Sequence, residues 1–189
     1  MTQWTSACTP RDRARRIRLL ALDVDGTLTD GRIHIGPQGE AMKSFSVRDG
    51  FGLALLREAG IRLAIVTARR SSIVEHRAAE LKFDEVLQGA ADKASALAKL
   101  CSEAGLGLEE AGFVGDDWPD LPAMLSAGFA ASVADAPAEV RAHAHWVSSL
   151  PAGRGAVREL AEFVLRARGD FDAALARRLG AAAGPQRRP

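Results

Sequence analysis

Residues 19–29 read Leu-Leu-Ala-Leu-Asp-Val-Asp-Gly-Thr-Leu-Thr, an apolar run that ends in two aspartates and a glycine. The apolar run predicts a short strand buried inside a parallel sheet. Because side chains alternate along a strand, Asp23 and Asp25 point to the same side, into one pocket at the strand's carboxyl end. Gly26 allows a sharp turn there and the close approach of a ligand to the backbone.

Two neighbouring carboxylates repel each other, so they need a cation, a shared proton or solvent. The simpler interpretation of Asp23 and Asp25 is a strand end followed by an Asx turn. The buried strand before them, and partners of suitable chemistry later in the chain, favour a functional site instead.

Length and composition indicate one globular domain. The chain has 189 residues, a hydrophobic fraction of 47% and a net charge of +1, which gives no electrostatic case for binding nucleic acid or an anionic membrane. No apolar run reaches membrane-spanning length, and no apolar signal core follows the N-terminal arginines. Cys8 and Cys101 form neither a disulfide framework nor a metal-binding spacing. We therefore expect a protein of a bacterial-type cytoplasm.

Strand-like and helix-like segments alternate steadily over residues 19–168. This alternation predicts an α/β fold, a doubly wound parallel sheet with helices on both faces. Residues 1–16 are predicted to be a flexible basic arm with some helix near its end, residues 17–168 the single domain, and residues 169–189 a partly disordered tail with a short helix at its start.

An unusual insertion follows the first strand. Residues 29–47 contain two alternating segments around Gly36-Pro37-Gln38-Gly39, which predicts a β-hairpin. An isolated hairpin is marginally stable, so we expect it to pack against another subunit.

Several helix ends carry recognisable capping residues. Asp49 is predicted to cap a helix that ends near Gly60, and Asp92 one that runs from Lys93 to about residue 104. An amphipathic helix is predicted over residues 156–168.

Polar residues stand at or just beyond the predicted strand ends: Asp23 with Asp25, Thr67, Lys93, and Asp116 with Asp117. The carboxyl ends of parallel strands share one edge, so these groups form one pocket. Its carboxylates outnumber its lysine, and oxygen-only ligands suit Mg²⁺. One carboxylate in such a site can attack phosphorus while a second moves protons, which is phosphoryl transfer finished by hydrolysis.

These motifs resemble those of the haloacid dehalogenase superfamily. Asp23-Val24-Asp25-Gly26-Thr27 is similar to its first motif, and Thr67, Lys93 and Gly115-Asp116-Asp117 match the next three in order. The resemblance implies Asp23 as nucleophile and Asp25 as general acid and base. It also implies Mg²⁺ held by Asp23, the Asp25 main-chain carbonyl and Asp116, phosphate held by Thr67 and Lys93, and Asp117 as an outer orienting residue.

Residues 17–168 resemble more closely the branch of that superfamily that lacks a large cap domain and hydrolyses 3-deoxy-D-manno-octulosonate 8-phosphate. This resemblance rests on the hairpin, on residues 46–52, 66–71 and 88–93, and on Gly153-Arg154-Gly155. It implies an acidic eight-carbon sugar phosphate from lipopolysaccharide biosynthesis as substrate, and a homotetramer in which a neighbouring subunit helps to close each site. Carried over by position, the substrate-binding residues are Asp25, Ser46, Val47, Arg48, Asp49, Gly50, Ala54, Arg69, Arg77 and Lys93.

The sequence departs from the pattern of this branch at Ala68 and Ala152, where glycine is usual, and at the bulky Trp118. The exact substrate therefore stays open, and a phosphatase for a nine-carbon, sialic-acid-type sugar phosphate is an alternative. A receiver-like phosphoacceptor domain is a second alternative. Against it, Asp116 and Asp117 come late in the chain, Asp25 is placed to hydrolyse the intermediate, and the hairpin has no use in a receiver. A catalytically silent assembly module is a third, but both Asp23 and Asp25 are present.

Overall fold

A six-stranded parallel sheet forms the centre of the protein in the computed structural model, which describes residues 8–180. The strands in chain order are β1 (Leu19–Leu22), β2 (His34–Gly36), β3 (Gly39–Met42), β4 (Arg62–Thr67), β5 (Glu85–Gln88), β6 (Ala111–Val114), β7 (Phe129–Ser132) and β8 (Trp146–Val147). The sheet order is β5-β4-β1-β6-β7-β8, and every neighbouring pair is parallel. β1 therefore lies between β4 and β6, and their carboxyl ends meet at one edge.

The helices in chain order are α1 (Pro10–Arg16), α2 (Val47–Glu58), α3 (Ser72–Leu81), α4 (Lys93–Ala104), α5 (Leu121–Ser126), α6 (Ala138–Ala142), α7 (Ala156–Arg168) and α8 (Phe171–Leu179). Two short 3-10 helices span Leu108–Glu110 and Trp118–Asp120. Within residues 8–180, no helix combines the length and the apolar character needed to cross a membrane.

The alternation of β1 divides the core between the two faces of the sheet. Leu20 and Leu22 belong to a buried cluster that includes residues of α1, α2 and α7. Leu19 and Ala21 belong to a second cluster, with residues of α4, α5 and α6. Both faces of β1 are thus covered by helices, as expected for a central parallel strand. The predicted doubly wound α/β fold without a large cap domain is confirmed.

The end of the predicted N-terminal arm is more ordered than a flexible arm. Residues 10–16 are a helix: Thr9 and Asp12 form a capping box, Pro10 occupies the first turn, and Ala14 is fully buried. α1 packs against α7, and the Arg13 guanidinium donates to the Gly128 carbonyl at 3.0 Å. The other residues of the predicted arm, 1–7, and the end of the predicted tail, 181–189, lie outside the described residues. The start of that tail forms α8.

The hairpin after β1 is present, with β2 and β3 antiparallel and shorter than the predicted range. The helix that follows it begins earlier than predicted. Ser46 is its N-cap, because its hydroxyl accepts from the Asp49 N–H at 3.3 Å. Asp49 thus lies inside the first turn of α2, which frees its carboxylate for another contact.

That contact joins α2 to α7. The buried Asp49 carboxylate accepts from the Gly155 N–H at 3.2 Å and from the Arg158 N–H at 2.8 Å, at the start of α7. One turn further, a Cβ on Gly52 would lie 2.9 Å from the Arg158 Cα. The two helices therefore meet at a closely packed crossing, and the preceding loop around Arg154 is tied to the start of α2.

Candidate active site

The nucleophile predicted from the sequence stands where β1 ends. Asp23 is buried, and its N–H donates to the Val114 carbonyl of β6 at 3.0 Å. The chain then turns back on itself, because the Val24 carbonyl accepts from the N–H groups of Thr27, Leu28 and Thr29. This turn leaves the Asp23 side chain at the edge of the sheet, facing the end of β6.

Three carboxylates converge at this edge. Asp23, Asp116 and Asp120 each place one oxygen so that all three oxygens lie within 4.8 Å of one another. Thr27 donates its hydroxyl to Asp116 at 2.9 Å. Asp120 accepts from the Asp116 and Asp117 N–H groups at 3.0 and 3.2 Å, which fixes the loop after β6.

Lys93 is the cation of this cluster. Its buried ammonium lies 2.8 Å from Asp23 and also contacts Asp120. Burial lowers the pKa of Lys93, but the charges of the two aspartates outweigh it and leave the pKa raised. Lys93 therefore stays charged at neutral pH, and the cluster contains three carboxylates against one ammonium.

The excess of carboxylates raises the pKa values of two of them. Burial, followed by repulsion from Asp120, raises the pKa of Asp23 to about 6. Burial and the charges of Asp23 and Asp120 raise the pKa of Asp116 to about 7. An additional positive charge would relieve this repulsion, and the available ligands are all oxygens. The residues present thus fit a magnesium ion.

Gly26 is required by the geometry of the turn. Its φ is +97°, and a Cβ there would lie 2.1 Å from an Asp116 carboxylate oxygen. Any side chain would strain the backbone and displace an acid of the cluster. A cavity of about 250 Å³ opens beside it, lined among others by Gly26, Asp30, Asp116, Asp117 and Asp135.

The side chain of Asp25 lies in a different set of contacts. The Lys43 ammonium contacts one oxygen of Asp25, and the Arg69 Nε lies 3.6 Å from the other. Lys43 also lies 2.9 Å from Glu40, and both residues come from the second half of the hairpin region. The hairpin region thus directly contacts Asp25, the residue predicted to act as general acid and base.

The other predicted site residues are distributed over the surrounding elements. Thr67 is buried at the end of β4, beside β1. Ser46, Val47, Arg48, Asp49 and Gly50 form the cap and first turn of α2, and Ala54 lies further along that helix.

Arg77 approaches this first turn from α3. Its guanidinium lies over the Phe45 ring, 5.6 Å from the centroid, and donates to the Ser46 carbonyl at 3.4 Å. In this structure the Asp49 carboxylate contacts α7, as described above, and Asp117 accepts from the Trp118 N–H at 2.8 Å. Asp117 therefore shapes the loop after β6 and lines the cavity, without contact to Lys93 among the described ion pairs.

Sequence reasoning missed Asp120, Lys43 and Glu40. For Asp120 a signal existed, because it follows Asp116 by four residues at a loop-to-helix boundary. For Lys43 and Glu40 none did, since their contact with Asp25 depends on how the hairpin folds back over the sheet.

The fold and this site define the class of haloacid dehalogenase-like hydrolases, and a family model of that description matches residues 40–128. The phosphatase KdsC of Escherichia coli K12, which acts on 3-deoxy-D-manno-octulosonate 8-phosphate, is 41% identical over 162 residues, 86% of each chain. The chain belongs to the family of 3-deoxy-D-manno-octulosonate 8-phosphate phosphatases.

Solved structures agree. The phosphatase of this name from Moraxella catarrhalis, in complex with a magnesium ion, a phosphate ion and KDO, is 42% identical with a TM-score of 0.87, covering 89% of this chain and 97% of that one. The cobalt-bound enzyme from Haemophilus influenzae is 38% identical with a TM-score of 0.83, covering 85% and 94%. The resemblance inferred from the motifs is therefore confirmed at the level of the family.

Proposed function

We propose that this protein is a Mg²⁺-dependent phosphatase that converts 3-deoxy-D-manno-octulosonate 8-phosphate to the free sugar acid and inorganic phosphate, in lipopolysaccharide biosynthesis. The observation that carries the proposal is the cluster of Asp23, Lys93, Asp116 and Asp120 at the end of β1, with Asp25 two residues beyond the nucleophile. Relatives named for this reaction cover most of the chain.

In the first step, an Asp23 oxygen attacks phosphorus and forms an O–P bond while the bond from phosphorus to the sugar oxygen breaks. Asp25, protonated at this stage, gives its proton to the leaving sugar oxygen. In the second step, water attacks the phosphorus of the aspartyl-phosphate, and Asp25 takes the proton that the water loses. The products are inorganic phosphate and a regenerated Asp23 carboxylate.

The positive charge for these steps is supplied in two ways. Lys93 orients Asp23 and, with Thr67, would hold the phosphoryl oxygens. Asp23, Asp116 and the Asp25 carbonyl would hold Mg²⁺, with Asp120 offering a further oxygen. The bound ion supplies electrostatic neutralisation of the phosphoryl group.

The sugar acid would be recognised beside this centre. Arg69 stands at the edge of the sheet with its side chain 44% exposed, and guanidinium groups suit carboxylates. We propose that it acts with residues 46–50, Ala54 and Arg77 in binding the sugar. Arg77 would do so through its support of the first turn of α2.

We further propose a cytoplasmic homotetramer assembled through the hairpin. Exposed apolar residues on and next to the hairpin support this proposal: Ile33, Ile35, Met42 and Val47. In such an assembly a neighbouring subunit would help to close each site, and the loop around Arg154 is one segment able to contribute.

The experiment is phosphate release from a panel of sugar phosphates with Mg²⁺, with chelator, and with chelator followed by excess Mg²⁺. The panel includes 3-deoxy-D-manno-octulosonate 8-phosphate and a nine-carbon sialic-acid phosphate. We expect a strong preference for the eight-carbon acid that chelator abolishes and Mg²⁺ restores. Preference for the nine-carbon acid would keep the mechanism and change the substrate, and no release from any compound would contradict the proposal.

A further inference from the structure

A buried ionic network outside the metal cluster surrounds Asp25. The Lys43 side chain is 0% exposed, and its ammonium contacts Asp25 on one side and Glu40, at 2.9 Å, on the other. A buried ammonium is costly unless it is paired and hydrogen-bonded. Lys43 is paired with two carboxylates, and these two contacts hold its ammonium next to Asp25.

The network continues beyond Lys43. The Glu40 carboxylate accepts from the Ser71 hydroxyl and lies 3.5 Å from the Arg69 Nη2. Arg69 returns to Asp25, with its Nε 3.6 Å from the oxygen that Lys43 does not contact. Both oxygens of Asp25 are therefore paired with cations. Glu40 contacts the same two cations, Lys43 and Arg69.

The charges within this network balance. Once Asp25 has given up its proton in the proposed mechanism, Asp25 and Glu40 contribute two negative charges, and Lys43 and Arg69 contribute two positive charges. The residues come from three separate segments: the loop after β1, the hairpin region and the loop after β4. The network is thus a tertiary feature that joins one side chain, Asp25, to two elements that are separate in sequence from its own turn.

We propose that Lys43, supported by Glu40, is a positioning residue that holds the Asp25 carboxyl in the orientation required for proton transfer. The inference rests on the proposed function, in which Asp25 protonates the leaving oxygen and later accepts a proton from water. Proton transfer requires the carboxyl within about 2.6–3.2 Å of its partner, and rotation about the side-chain torsions would break that approach. Without Lys43, the Asp25 carboxyl can still exchange a proton, but it is no longer held in the orientation that proton transfer requires.

The test uses two substrates whose leaving groups differ in their need for a proton. A sugar alkoxide must be protonated as it leaves, whereas nitrophenolate leaves readily without a proton. With Lys43→Met, we expect kcat for the sugar phosphate to fall by about 100-fold. With nitrophenyl phosphate, we expect a rapid burst of about one nitrophenolate per active site followed by slow turnover, because only hydrolysis of the aspartyl-phosphate still needs Asp25.

A double-mutant cycle tests whether Lys43 acts through Asp25. In an Asp25→Asn background, Lys43→Met should lower the remaining activity by less than about twofold, because the group it positions is already gone. Glu40→Gln keeps the shape of the side chain and its ability to hydrogen-bond. It should cause an intermediate loss of kcat for the sugar phosphate and the same burst with nitrophenyl phosphate. Lys99→Met, which removes an exposed lysine of α4, is the matched control and should leave both phases unchanged.

Two outcomes would overturn the proposal. If Lys43→Met and Glu40→Gln slow the burst and the turnover equally, so that no burst is seen, the residues only maintain the structure. If the losses from Lys43→Met and Asp25→Asn multiply, Lys43 acts independently of Asp25. Because nitrophenyl phosphate reports the proton steps on any phosphatase of this mechanism, a failure here is distinguishable from a wrong sugar substrate, which only the panel reveals.

Discussion

Asp23 and Asp116 are crowded acids, and their crowding links folding to pH. In the absence of Mg²⁺, their folded-state pKa values of about 6 and about 7 exceed the ordinary value of 3.8. The folded protein therefore binds protons more tightly than the unfolded chain between pH 4 and pH 7. The contribution of these two groups to the free energy of unfolding falls as pH rises through that window and is level above it.

The first prediction concerns thermal stability of the chelator-treated protein. Because Mg²⁺ binds the ionised carboxylates of the folded state, it should raise Tm by several degrees at pH 8 and by less than about 1 °C at pH 5. Differential scanning calorimetry at both pH values, with and without Mg²⁺, measures this. Asp116→Asn is the control and should reduce the Mg²⁺ effect at pH 8. An equal Tm increase at both pH values would contradict the assignment of the metal to these carboxylates.

The second prediction separates chemistry from folding at Asp23. Asp23→Asn should reduce phosphate release to below about one thousandth of wild type, because an amide at this position cannot attack phosphorus to form the aspartyl-phosphate. Its metal-free Tm at pH 8 should equal or exceed that of wild type, because the change removes a repelled charge and leaves Lys93 paired with Asp120. Assays and melting curves are taken on the same preparation; near-normal turnover would exclude Asp23 as the nucleophile.

At the residue scale, local pattern identified the groups that lie directly at strand ends. Asp23 and Asp116 could be predicted because each follows an apolar strand, and the structure brings their oxygens together. Asp120 lies one turn of 3-10 helix later, where no strand pattern points to it. The contact of Lys43 with Asp25 depends on the path of the hairpin, which local spacing does not encode.

Among the elements, the junction of α2 and α7 is the one most dependent on a single side chain. Asp49 occupies the first turn of one helix and accepts from two N–H groups at the start of the other. The first N–H groups of a helix lack partners within it, so an acceptor from another element stabilises the start of the helix. Burial raises the pKa of Asp49, and the hydrogen bonds from Arg158 and Gly155 oppose that rise.

The third prediction follows from this junction. Asp49→Ala should lower the free energy of unfolding by about 2 kcal/mol, because two N–H groups at the start of α7 lose their acceptor. Urea unfolding followed by circular dichroism measures it. Asp172→Ala, an exposed acid in the first turn of α8, should change the value by less than about 0.5 kcal/mol. Equal effects of the two substitutions would show that Asp49 does not fasten the helices.

Element prediction succeeded where the signals were local. α4 was predicted to begin at Lys93 from the Asp92 cap, and α7 was predicted over residues 156–168; both have these bounds. For α1 the sequence indicated only some helix near the end of a flexible arm, because its seven residues are too few for a stable isolated helix and are held by α7, far along the chain. α2 began earlier than predicted because Ser46 and Asp49 compete for the same cap, and only the tertiary contact of Asp49 decides between them.

For the whole molecule, the hairpin region is the surface that a partner subunit would cover. Ile35 is 70% exposed and Val47 82% exposed, and exposed apolar side chains concentrated on one segment are a common mark of an interface. The fourth prediction is that the protein is a tetramer at micromolar concentration by light scattering. Ile35→Glu should shift it to smaller species, because a charge cannot be buried unpaired in an apolar interface.

The matched control is Leu179→Glu, which changes a similarly exposed apolar residue on α8. It should leave the molar mass unchanged. A monomer for the unmodified protein would refute the proposed assembly, and equal disruption by both substitutions would show that the hairpin is not the interface.

The central place of β1 has a consequence for how the protein is made. β1 is translated before the strands on either side of it, and the contact between Thr27 and Asp116 spans 89 residues. Arg168 donates to the Ile17 carbonyl, just before β1, across 151 residues. A chain still emerging from the ribosome therefore exposes two open edges of β1 and lacks two of the three carboxylates of its acidic cluster until the loop after β6 appears. We therefore expect a chain released before Asp116 to be inactive toward phosphate esters, because it lacks most of the acidic cluster.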